Sequence, residues 1–356
     1  MNGKQFTSRF LVLVIIAALC TSLVAQSVSA QTPANQTGQA LKIPDVYVDL
    51  TTLGRQLGYS DEQIKSIDLK TQLQLMREYP TQAELGPDGS YHVVPTIENK
   101  ANFTEPVFNL TSISQKTNSD GSISQQYTVS GTGSGKAAII IAIWNYYQQE
   151  LPAFGSGEYD QFYNHVVNSG KYDYWHTLTN EEATRYYIWA WITWACSEYE
   201  SVDVFMEGHG ARIFSSITIY CSAYASWDVQ TGIPGIINYF NFFTPDTIMY
   251  GYSSNYDYSS LRMGVFHFCY SWGDTYNLGF EMPFCTYDYP PKTHSSGFIG
   301  PQDVVYYSPD FVREWGDRWL YWGWDSWSAY SDSIWAQPHQ DTNPLLYTDH
   351  NGNVYA

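Results

Sequence analysis

Val202-Asp203-Val204-Phe205-Met206 runs directly into Glu207-Gly208-His209-Gly210. So short a run, apolar at all but one position, fits a β-strand covered on both faces better than a helix. The design recurs from Met263 to Phe268, which leads into Cys269-Tyr270-Ser271-Trp272-Gly273, and a third apolar run spans Ala137 to Trp144. Helical patterns separate these runs. Glu158 to Asn168 is one. Thr179-Asn180-Glu181-Glu182 reads as a capping box, opening a helix that continues through Ile188, Trp189 and Ile192 to about Cys196. Another helix is expected near Ile233 to Phe242. Apolar strands alternating with helices predict an α/β fold with a mainly parallel sheet flanked by helices.

In open parallel sheets, sites form beyond the carboxyl ends of the strands, and neighbouring strands lie about 4.8 Å apart. Residues just past two such ends can therefore meet one substrate. Here those residues are His209 and Cys269, the residue types of a general acid/base and a nucleophile. Gly210 lets a carbonyl approach the backbone, whose N–H groups can stabilise an oxyanion. Alone, a His is usually surface or core, and a Cys after an apolar strand is usually a small hydrophobe. The pair, each following an apolar run in the same order, carries the inference.

VDVFMEGHG and MGVFHFCYSWG resemble the two catalytic blocks of the caspase and legumain group of cysteine peptidases. The likeness covers roughly residues 137 to 336, and the capped helix before Val202 sits where that group has one. It implies a caspase-like fold, His209 as acid/base, Cys269 as nucleophile, and the backbone N–H groups of Gly210 and Cys269 as oxyanion hole. Asn145 matches the Asn with which legumain-like members orient the His. The resemblance implies no cofactor. His267 departs from the acidic residue often found two positions before the Cys, and the long stretch between His209 and Cys269 implies an insertion around Ile217 to Tyr258. Asp274 and Asp246 would favour a basic substrate side chain, and Arg212 or Arg262 an acidic one, but the simpler reading of each is a surface charge. Should His209 not serve as acid/base, His267 is the next candidate.

The rest of the chain bounds the setting. With 17 Lys+Arg against 35 Asp+Glu, the formal charge is -18 over 356 residues. That argues against a nucleic-acid binder, which needs clustered cations. Lys4 and Arg9, the apolar stretch Leu11 to Ala25 and the small residues Val28-Ser29-Ala30 form a secretory leader, too short for a membrane span. Cys20 follows the bulky Leu19, which argues against a lipoprotein. The protein is thus expected to be secreted, with no stable membrane span after cleavage. Asn35, Asn102 and Asn109 open N-glycosylation triplets. Four cysteines follow the leader: Cys196, Cys221, Cys269 and Cys285.

Residues 31–136 form an N-terminal β-rich region, either a prosegment or accessory unit or extra strands on the main sheet, and 137–356 the peptidase domain. Within the former, Asp61 to Met76 reads as a helix, and Ser112 to Thr128 as a hairpin about Asn118-Ser119-Asp120-Gly121. Gly131 to Lys136 lacks the spacing of a phosphate loop and reads as a linker. No spacing suits zinc. Calcium stays open, with Asp349 to Asn353 read as a turn. The function expected is a secreted cysteine endopeptidase acting on a protein or peptide through a thioester acyl-enzyme. An inactive caspase-like surface interaction protein is the alternative. So is a glycan-binding protein, given 31 Tyr, 17 Phe and 13 Trp.

Overall fold

The structure, a computed structural model, describes residues 45–100 and 135–356 except 80, 144, 147–148, 151–156, 217–219, 228–235, 239–241, 246–247, 249–258, 274–276 and 286–293. The expected leader, the three asparagines of the N-glycosylation triplets, the hairpin expected from Ser112 to Thr128, most of the expected linker, Asp246 and Asp274 lie outside the described residues.

The N-terminal segment holds β1 (Val46–Val48), α1 (Thr51–Gln56), α2 (Asp61–Ser66), α3 (Leu69–Glu78), β2 (Gln82–Leu85) and β3 (Tyr91–Val93). The helix expected from Asp61 to Met76 is thus two helices. Asp68 interrupts it by taking an N-cap role, its Oδ1 accepting from the Thr71 N–H at 2.8 Å.

Next come β4 (Lys136–Ala142), β5 (Asn145–Tyr146), β6 (Gln149–Glu150), α4 (Glu158–Ser169), β7 (Tyr174–Thr179), α5 (Arg185–Glu198) and β8 (Ser201–Glu207). The capping box read at Thr179 does not open α5. Thr179 is the last residue of β7, Asn180 adopts a left-handed φ of 43°, and Asn180–Glu182 is a single 3-10 turn. The cap is Thr184, which accepts from the Tyr187 N–H at 3.3 Å.

The chain continues through β9 (Gly210–Ser215), β10 (Tyr220–Ala225), β11 (Ile236–Asn238), β12 (Phe242–Phe243), β13 (Leu261–His267), β14 (Asn277–Leu278), α6 (Met282–Cys285) and β15 (Ser296–Pro301). It closes with α7 (Pro309–Gly316), a π-type turn (Asp317–Tyr321), α8 (Ser326–Ser333) and β16 (Leu345–His350). The helix expected from Ile233 to Phe242 is replaced by β11 and β12. Its β-branched and aromatic residues find strand partners, β11 on β2 and β12 on β10.

Six strands form the mainly parallel sheet in the order β16-β15-β13-β8-β4-β7, with only β16 antiparallel. The protein is α/β, with a parallel sheet flanked by helices, consistent with the caspase-like arrangement. The continuous apolar runs follow from this geometry. Along β4, Ala137, Ile139 and Ile141 pack with Ile188, Trp189 and Ile192 of α5. The intervening Ala138, Ile140 and Ala142 pack with Phe162 and Val166 of α4 and with Phe311 and Trp315 of α7. Each fully buried isoleucine contributes about 2 to 3 kcal/mol of burial.

A second, mixed sheet runs β11-β2-β3-β1-β9-β10-β12, with β14 added to β10. The boundary near residue 136 therefore does not separate sheets. β1 pairs in parallel with β9, Val46 against Ile213 and Val48 against Ser215. The segment expected as an insertion, Ile217 to Tyr258, supplies β10, β11 and β12 to this same sheet.

Candidate active site

Strand order reverses between β4 and β8, the kind of switch point at whose carboxyl end a crevice forms. β8 ends on Glu207, and the chain then leaves the parallel sheet for the mixed one. Gly208 makes the crossing with φ +148°, and an added Cβ there would meet the Tyr224 ring at 3.0 Å. His209 follows, anchored by its carbonyl, which accepts from the Ala225 N–H at 2.8 Å. Gly210 begins β9.

β13 ends on His267, two residues before Cys269. Tyr270 holds a left-handed φ of 62°, a conformation costing a non-glycine residue roughly 1 kcal/mol or more. Its N–H donates to the Asp303 carbonyl at 3.0 Å, and the Ser271 hydroxyl donates to the Phe266 carbonyl at 3.1 Å. These bonds turn the chain sharply just after the thiol.

The two blocks meet. A Cβ placed on Gly210 would lie 1.9 Å from the Cys269 carbonyl oxygen and 2.6 Å from the Phe268 ring. Only glycine permits that approach. Both side chains of interest are fully buried. The Cys269 sulfur accepts from the Val305 N–H at 3.4 Å, a donor suited to stabilising charge on sulfur. Burial lowers the His209 pKa from 6.5 to about 4, so its imidazole is neutral near pH 7.

Asn145 lies on β5, just past the end of β4, and its side chain is outside the described residues. Arg212, on β9, lays its guanidinium 4.4 Å from the Tyr270 ring centre and donates to the Gln302 carbonyl at 2.9 Å. It is thus near the thiol-bearing turn. Arg262 is not. It sits at the opposite, amino-terminal end of β13, where its Nε donates to Asp203 Oδ1 at 3.0 Å and its Nη2 to Asp203 Oδ2. Tyr172 Oη also donates to Asp203 at 2.7 Å. As a residue selecting acidic substrates Arg262 is ruled out by that location: its charge is spent on Asp203.

His267 is also committed elsewhere. Its Nδ1 lies 2.7 Å from Glu158 Oε1, and its Nε2 lies 3.0 Å from Gln337 Oε1. Glu158 in turn accepts from the Ser308 N–H at 2.5 Å. Glu207, opposite His267 in the β8–β13 register, is buried beside them. Burial, reinforced by the charge of Glu158, pushes its carboxyl well above the usual carboxylate range. This buried cluster beneath the strand ends was not anticipated as a unit. The available signals were Glu207 within the His-Gly block and His267 two residues before Cys269.

Cys196, Cys221, Cys269 and Cys285 are thiols in the structure. Among the described residues there is no group of three or more His, Cys, Asp or Glu placed to hold a metal ion, and no helix long and apolar enough to cross a membrane.

A parallel-sheet α/β protein with a His and a Cys brought to adjacent strand ends is the class that fold and geometry define. No family model and no curated protein matches the sequence. Among solved structures the chain is similar to protein GSU0716 from Geobacter sulfurreducens, at 10% identity and a TM-score of 0.40, over 60% of this chain and 93% of that one. A likeness at that level does not bear on activity.

Proposed function

We propose that the protein is a secreted cysteine endopeptidase working through His209 and Cys269. The observation that carries this reading is the contact of Gly210 with the Cys269 carbonyl, which sets the His-Gly block against the Cys block at adjacent strand ends. His209 takes the thiol proton while Cys269 Sγ bonds to the scissile carbonyl carbon. The backbone N–H groups of Gly210 and Cys269 receive the oxyanion. As the C–N bond breaks, His209 gives its proton to the leaving amine. Water then attacks the thioester, His209 removing its proton, and the S–C bond breaks to restore the thiol. The peptide substrate enters from the carboxyl side of the sheet, where Arg212 favours an acidic side chain. The leader at residues 1–30 directs export.

A second reading, a caspase-like module without activity, is favoured by the complete burial of both side chains. An electrophilic peptide probe separates the two. Labelling of the wild type that is lost in Cys269→Ala, with turnover lowered about 100-fold or more in His209→Ala, supports the peptidase. Equal labelling of wild type and Cys269→Ala, or none of either, supports the inactive module.

A further inference from the structure

The segment from Trp315 to Tyr330 sorts its aromatic rings into two sets. Trp315 and Trp319 are buried and stack at 4.7 Å. Trp322, Trp324 and Trp327 are instead 59%, 38% and 48% exposed. Tyr355, joined to this segment by a β-bridge to Asp325, is 61% exposed. Single exposed apolar residues are ordinary, but exposed indoles this close in sequence, with the Trp322 and Trp324 rings 5.9 Å apart, mark an interaction surface.

The rings are held in place. The Arg318 guanidinium lies 5.3 Å from the Trp322 ring centre and 5.9 Å from that of Trp324. Arg318 is itself fixed, its Nη1 on Glu314 at 2.7 Å and its Nε on Asp332 at 2.5 Å. Trp327 rests against Tyr347 at 5.3 Å and Tyr330 at 5.7 Å. Rings already ordered lose little conformational freedom when a ligand stacks on them.

The surroundings select the occupant. Every exposed large hydrophobic residue from Trp315 to Tyr330 is aromatic, while Leu320 is buried. A membrane-inserting segment adds aliphatic side chains such as Leu. From Glu314 to Asp332 the charged residues are the carboxylates Glu314, Asp317, Asp325 and Asp332 and one arginine, Arg318, which pairs with Glu314 and Asp332. That charge repels anionic lipid. It suits hydroxyl groups, which donate to carboxylates while a sugar ring stacks its C–H face on an indole. We propose that this face binds a neutral polysaccharide of hexopyranose units with equatorial substituents, whose axial C–H bonds form flat apolar faces. It is a binding site independent of the His209–Cys269 pair, and on an exported chain it would hold the protein to an extracellular polymer.

The test uses the full chain with microcrystalline cellulose, chitin and their soluble hexasaccharides. The expected result is retention on at least one polymer and a change in tryptophan emission with its hexasaccharide. Trp322→Ala/Trp324→Ala should weaken binding about tenfold or more. Trp322→Phe/Trp324→Phe, which keeps aromatic faces, should retain part of it, and far-UV circular dichroism would report that both variants stay folded. Peptide-probe labelling should match the wild type throughout. Absence of binding to both polymers and both hexasaccharides overturns the proposal. So does wild-type affinity in the folded double-alanine variant. Binding to phosphatidylcholine vesicles without binding to either polymer would assign the face to lipid instead.

Discussion

Removing the titration of His209 should change how stability depends on pH by a calculable amount. Its folded pKa is about 4 against an ordinary 6.5, because burial disfavours the charged ring. The unfolded chain therefore binds a proton that the native state refuses. Stability linked to this group is present above pH 6.5 and is lost as pH falls towards 4. At about 1.4 kcal/mol per pH unit the total reaches roughly 3 kcal/mol, of which about 2 kcal/mol is lost between about pH 7 and pH 5. Glu207 acts in the opposite sense, since its raised pKa adds stability as pH falls. The wild-type curve alone would mix the two. The informative quantity is the difference between wild type and His209→Gln, each unfolded in urea at both pH values. The wild type should lose about 2 kcal/mol more than the variant over that interval. His209→Phe offers the same comparison in an apolar side chain. Parallel pH dependence in wild type and both variants would refute the idea that a neutral, buried imidazole occupies this position.

Glu207→Gln should remove a loss of stability on alkalinisation. The wild-type contribution is full below the ordinary carboxylate pKa and declines as pH rises towards the higher folded value, so urea midpoints of the variant should fall less steeply with pH. Asp203→Ala leaves the Arg262 guanidinium buried without its partner and should cost about 3 to 5 kcal/mol by chemical denaturation, whereas Asp203→Leu/Arg262→Met should recover much of that loss. Gly210→Ala places a Cβ 1.9 Å from the Cys269 carbonyl oxygen. Because backbone yields poorly, the change should destabilise by roughly 1 to 3 kcal/mol and abolish probe labelling of Cys269, read by mass spectrometry. Residues 137–356 expressed alone would leave β9 without β1, and should unfold with lower cooperativity than the longer chain in a thermal scan.

The parallel sheet was legible because a strand covered on both faces leaves an unmixed apolar run. Val202 to Met206 and Met263 to Phe268 each fall within one or two residues of β8 and β13. The position of His209 and Cys269 past those ends followed from the same pattern. Short strands left no such mark. β1 and β3 pair across long separations, and a strand of three residues has too little alternation to register. The helix expected near Ile233 failed for a related reason, since its residues suit either element until β2 and β10 supply edges. The buried cluster was illegible for another cause. Glu158, Glu207, His267 and Gln337 come from separate elements, and a charged residue in sequence looks like surface until a partner is placed against it.

The crossing at Gly208 joins these two kinds of information. β8 belongs to the sheet that the sequence announces, and β9 to the one it conceals, with His209 on the link between them. The imidazole is therefore positioned from both sides. Its preceding strand is locked by β4 and β13, and the strand that follows by β1 and β10. Cys269, by contrast, is placed by one sheet and by the loop that carries Val305. Residues far upstream, Val46 to Val48, thus bear on the geometry of a site whose recognisable motifs all lie beyond residue 200. A substitution that weakens β1, such as Val48→Asp, should disturb the His209 side of the pair before the Cys269 side, because only the former shares its sheet with the N-terminal segment.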